Sequence, residues 1–205
     1  MEMMTPVRPE TFESLVFDAG IMFKNLDISA ATDAESLVEI IKTAKESGEG
    51  LLGATKGGVN PQTNFEFWEP ELDGKRMSFV GAKRLSNADC MISGTLVEMT
   101  PTNVKDVLAL ADIEGEGNKI AVQPRFSIKR GDYIPSLLWF GNLGSDGIYA
   151  IELKNALCTV GLSTQTTDKD IGTLPFEFHA HADDVTEESL PIKYWFFKSS
   201  GAAAE

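Results

Sequence analysis

Two histidines and a carboxylate alternate along one short stretch, His179-Ala180-His181-Ala182-Asp183. In an extended strand, positions i, i+2 and i+4 project from one face. Two imidazoles and a carboxylate so placed could share a metal ion. A transition-metal site takes a third and a fourth ligand, and nothing else in the sequence specifies them. His179, His181 and Asp183 are therefore read first as a wet or interfacial strand face with Ala180 and Ala182 packed inward. No metal and no cofactor are assigned.

Other chemistry is equally sparse. The sequence holds no GxSxG elbow, no P-loop and no HExxH motif, and the Gly-rich stretch at 48–58 lacks Walker or dinucleotide-fingerprint spacing. Asp73, Asp89, Glu98 and Asp106 offer carboxylates with no reason to pair any two. Arg130-Gly131-Asp132 matches an adhesion tripeptide, but a turn needing Gly is the simpler reading. Trp68, Trp139 and Trp195 could stack on sugars. The runs around two of them, Leu137-Leu-Trp-Phe140 and Tyr194-Trp-Phe-Phe197, suit a core or a subunit interface better. No enzymatic activity is expected.

The chain of 205 residues is long enough for one domain with a real core. Its net charge of −13 opposes adhesion to nucleic acid, whose binding needs phosphate-neutralising cations. Such a charge suits solubility first, and also a wall past which DNA slides. No apolar run approaches the roughly 20 residues that span a bilayer, and Met1 to Pro6 lacks the layout of a signal peptide. Folding in a cytoplasm without membrane insertion is expected. Cys90 and Cys158 belong to no CxxC pair and read as buried free thiols, with a single disulfide as the other possibility.

The elements follow from patterning. Glu13–Asp18 and Ile21–Asn25 form a short strand pair about Ala19-Gly20, a turn or bulge. Thr32 with Glu35 makes a capping box for a helix over 33–47, whose Leu37, Ile41 and Ala44 share a stripe and which Gly48 ends. Aromatic Phe65–Glu69 and the run Arg76–Arg84, joined at Asp73-Gly74, form a long hairpin over about 63–84. Cys90–Met99 reads as a central strand covered on both faces. Thr100-Pro101 opens a second helix, which ends in an acidic loop at 112–117. Six strands follow: 119–128, 134–141, 147–154, 156–164, 173–182 and 191–197. The chain is thus mainly β, an antiparallel sandwich or barrel with one or two helices packed outside and a long hairpin arm. One domain covers 1–198, and 199–205 is a flexible tail.

Five stretches carry a family likeness, in order, across about 12–197. They are Phe17-Asp-Ala-Gly20 with Phe23-Lys-Asn25; Leu52-Gly-Ala-Thr-Lys-Gly-Gly58; Leu72-Asp-Gly-Lys75 leading to Gly81-Ala-Lys-Arg84; Ser93-Gly-Thr-Leu-Val-Glu98; and Gly172-Thr-Leu-Pro-Phe-Glu-Phe178 through Ala180-His-Ala-Asp183 to Tyr194-Trp-Phe-Phe197. In these the chain resembles the major tail, or tail tube, proteins of tailed bacteriophages and related prophages. The resemblance implies a tail-tube-type fold and a structural virion protein, made in the host bacterial cytoplasm. Copies would form rings, usually hexameric, whose sheets join across subunits. Rings would stack around a tape-measure protein and meet tail terminator or baseplate proteins. The acidic lumen would conduct DNA at genome ejection without binding it.

Only regions are carried over. Glu69, Glu71, Leu72, Asp73, Lys75 and Arg76, at the hairpin tip, are candidate contacts between rings. Asp112, Glu114, Glu116, Asp168 and Asp170 are candidates for the lumen or ring surface. The competing expectation is a carbohydrate-binding β-sandwich module, also carried on a virion.

Overall fold

The computed structural model describes residues 9–144, 147–166, 168–184 and 188–199. The expected tail beyond Ser199, the N-terminal residues 1–8, and Ser145, Asp146 and Thr167 of two expected turns lie outside the described residues.

The protein is mainly β, with two α-helices against a curled antiparallel half-barrel. The strands are β1 (Val16–Lys24), β2 (Thr55–Trp68), β3 (Arg84–Leu96), β4 (Ala111–Glu116), β5 (Lys119–Pro124), β6 (Ile134–Leu143), β7 (Gly147–Cys158), β8 (Leu174–His179) and β9 (Ile192–Phe197). The helices are α1 (Ala34–Ser47) and α2 (Pro101–Leu108). The main sheet runs β1-β6-β7-β8-β3-β2, with β9 added to β7; β4 and β5 form a separate two-stranded ribbon.

β7 is the corner of this architecture. Its residues 148–153 pair with β9, and Leu157 and Cys158 pair with β8. Between the two stretches Asn155 takes a left-handed φ of 46°. Asn is among the few residues that accept this region at low cost. The two strands expected at 147–154 and 156–164 are therefore one strand, bent where it passes from one half of the sheet to the other.

Both faces of β6 and β7 are covered, which explains the loss of alternation in Leu137-Leu-Trp-Phe140. Leu137, Trp139, Ile151 and Leu153 face the inside of the curl, with Cys90, Ile92, Leu96, Phe176 and Phe178. Leu138, Phe140 and Ala150 face outward, beneath Ala34 and Leu37 of α1. α1 begins one residue later than its expected cap. Asp33 is the N-cap and accepts from the Ser36 backbone N–H at 2.8 Å, while the Asp33 N–H donates to Ser36 Oγ. Asp33 and Ser36 thus replace Thr32 and Glu35 as the capping box. Gly48 closes the helix as expected.

Four further expectations change. β1 is one strand with a register shift between Phe17 and Ile21, not a strand pair. Gly20, at φ +74°, makes the bulge: a Cβ there would stand 2.2 Å from Trp139 Nε1. β3 is central but buries one face only: Cys90, Ile92 and Leu96 point inward, while Met91, Ser93 and Thr95 stay half-buried. Residues 112–116 are strand β4, not a loop. Residues 76–83 form no strand. Arg84 pairs instead with Trp68, so the hairpin is built from β2 and β3 and closes through a loop at 69–83.

Candidate assembly surfaces

The loop at 69–83 is an ordered arm. Glu69 is its brace: the Lys75 ammonium pairs with one carboxylate oxygen, and Ser78 Oγ donates to the other at 2.8 Å. These hydrogen bonds, Lys75 first, hold the Glu69 pKa below the usual carboxylate value. Two tight turns shape the rest. The Lys75 N–H donates to Leu72 O at 3.1 Å, and the Ala82 N–H to Phe79 O at 3.1 Å. Asp73-Gly74 occupies the first turn, as its composition demands.

The six expected contact residues therefore lie together, with two roles. Glu69 and Lys75 are spent on each other; Glu71, Leu72, Asp73 and Arg76 are exposed. The sequence reading passed over Met77, Phe79 and Val80, which stand 71%, 61% and fully exposed beside them. Read as a strand, they had a sheet to face. The signal against that was Gly81 directly after Phe79-Val80, a turn composition. The aromatic surface continues down the hairpin through Phe65, Phe67, Trp68 and Leu85, all about half exposed. So large an apolar exposure makes this hairpin a candidate interaction surface. β2 pairs with β3 alone, so among the described residues no strand covers its other edge.

The acidic candidates sit on separate elements with different partners. Asp112 on β4 accepts from Arg125 Nε at 3.0 Å and from Lys129 Nζ at 3.0 Å, chiefly the latter holding its pKa low. Glu114 on the same strand is exposed and forms no ion pair among the described residues; Glu116 ends that strand. Asp170 accepts from Ile171 N–H at 2.8 Å and from Lys56 Nζ at 3.0 Å, which together lower its pKa. Asp168 is exposed in the neighbouring turn.

The two histidines have parted company. His179 Nδ1 lies 2.6 Å from Asp89 Oδ1 on β3, and its Nε2 lies 2.8 Å from Glu177 Oε1 on β8. The ring therefore stands between two carboxylates. Burial alone would lower its pKa, but the hydrogen bonds to Glu177 and Asp89 outweigh burial and raise it. His181 Nδ1 turns to Asn155 O at 3.1 Å, and its ring meets Tyr133 edge-on at 5.2 Å. Asp183 accepts from Asn155 Nδ2. Among the described residues no three His, Cys, Asp or Glu side chains group to hold a metal ion.

The remaining candidates also fall on structural roles. Asp132 of the Arg-Gly-Asp triplet is almost wholly buried against Arg125. Burial opposes its ionisation, but the Arg125 hydrogen bond and the Lys129 N–H keep its pKa low. Trp139 faces the inner core, Trp195 packs beside the outer one, and Trp68 is exposed on the hairpin, so the three share no surface. Cys90 and Cys158 are buried free thiols whose pKa burial raises. A groove of about 1020 Å³ opens between α1, the end of β1 and the segment before β6. Lys24 and Asp106, two of the charged residues that line it, are paired with each other. No family model matches the chain, and no curated protein matches it.

Proposed function

We propose that this chain is a structural virion protein with no catalytic centre, which self-associates into stacked rings that build a phage tail tube. The single observation that supports this reading is the arm. A braced, ordered loop that presents Leu72, Met77, Phe79 and Val80 to solvent gains nothing for the isolated fold. Apolar side chains in water cost free energy that only a partner recovers. The edge of β2 that no strand covers among the described residues adds a second unsatisfied surface to the same hairpin.

On this reading edge strands close the ring through backbone pairing, and arms join successive rings. The net charge of −13 keeps DNA from adhering while it passes.

Negative-stain microscopy of the purified protein tests the proposal. Rings or tubes are expected. Deleting Leu72–Lys75 is expected to leave a folded, soluble protein and stop tube growth. Normal-length tubes from the deletion variant would refute the role of the arm. A stable wild-type monomer that binds a glycan array would instead favour a carbohydrate-binding module.

A further inference from the structure

We infer that the arm of one copy docks on the β4–β5 ribbon of another, forming a head-to-tail joint. This rests on the self-assembly reading and names the surface that receives the arm.

The ribbon is amphipathic by register. Directly paired residues share a face. Ala111, Ile113 and Gly115 stand opposite Pro124, Val122 and Ile120, so one face carries no polar side chain. Asp112 and Glu114 stand opposite Gln123 and Ala121 on the other. At its base the apolar face is covered, Ala111 being buried and Val122 half-buried, but toward the tip it is open, with Ile113 and Ile120 exposed by 44% and 50%. A lone two-stranded ribbon is marginal in water. This one is fixed at its base, where Arg125 pairs with both Asp112 and Asp132 and Lys129 pairs with Asp112. It is held in place with the apolar surface of its tip, Ile113 and Ile120, open.

The arm complements it in both respects. Residues 76–85 read Arg-Met-Ser-Phe-Val-Gly-Ala-Lys-Arg-Leu, three cations and no acid in a chain of net charge −13. Arg76, Lys83 and Arg84 are exposed and form no ion pair among the described residues. Glu114 on the ribbon is exposed and forms no ion pair among the described residues. Ribbon strands lie about 5 Å apart, so arginines of a loop seated on the apolar face reach round the ribbon edge to Glu114. Both patches are exposed in the same copy, so neither covers the other. A contact between two different patches is heterologous, and it propagates from copy to copy.

Charge reversal tests the joint in the full-length protein. Glu114→Arg, and separately Arg76→Glu with Arg84→Glu, should each raise the protein concentration needed for assembly by about tenfold. An equal mixture of the two variants should assemble again, because each arm then meets a ribbon of opposite charge. Sedimentation velocity reads the threshold and circular dichroism confirms the fold. As an independent readout, Val80→Cys and Ile113→Cys copies mixed under oxidation should give a disulfide-linked heterodimer. The inference is overturned if both reversals assemble at the wild-type threshold, if folded variants are not rescued on mixing, or if the cysteine pair stays unlinked. If wild-type tubes form and these results fail, only the joint is wrong. A wild-type protein that stays monomeric removes the self-assembly reading as well.

Discussion

His179 shows how one side chain can tie two strands through a proton. Only the imidazolium donates from both ring nitrogens, and here both face carboxylates, Asp89 on β3 and Glu177 on β8. Its folded pKa is raised, so the stabilisation is complete below the ordinary value of about 6.5. It is lost as pH rises through the folded value. The carboxylates are about one-third exposed, so screening limits the effect to about 1 kcal/mol. His179→Gln should therefore lower thermal stability at mildly acidic pH and leave it unchanged in mild alkali. A difference that stays constant across a pH series of melts would show that the charge plays no part. The sequence announced these histidines but not their partners, because Asp89 lies 90 positions away and reaches His179 only through strand pairing.

At the scale of elements, the local signals were the legible ones. Both helices, the stop at Gly48, the Thr100-Pro101 start and the Asp73-Gly74 turn are set by residues within a few positions of each other. What stayed hidden depends on distant partners. Met77-Ser-Phe-Val80 alternates like a strand, but Phe65–Trp68 is taken by Arg84–Ala88. That register is imposed by Cys90 and Ile92, which must point into the core; a slip of one residue would expose both. The two strands read at 147–164 are one because the bend at Asn155 serves a change of sheet. Asn103 illustrates the same dependence. It is the buried polar residue among the described ones, and its Nδ2 donates to Leu52 O at 2.8 Å and Glu98 O at 3.0 Å. It thereby clamps α2 to the segment entering β2. Asn103→Ala should leave two carbonyls without that donor and cost about 1–3 kcal/mol in chemical denaturation. A loss below about 0.5 kcal/mol would mean the clamp is dispensable.

For the whole molecule, the proposed self-assembly would set a long-range repulsion against a short-range attraction. Each copy carries −13, so copies repel at distances of tens of ångströms. The proposed attractive surfaces would act at contact: the exposed aromatics of the hairpin, the exposed Ile113 and Ile120 of the ribbon, and the arm cations. Salt weakens the two unequally. The screening length falls from about 30 Å at 0.01 M to about 8 Å at physiological ionic strength. That removes most of the repulsion between approaching copies and leaves apolar burial untouched. Raising salt across this range should therefore promote assembly at fixed protein concentration, although it weakens each arm–ribbon charge pair. Sedimentation velocity at several ionic strengths measures this directly. Assemblies that dissolve as salt rises would show that charge pairs, and not the apolar surfaces of the arm, hold the copies together.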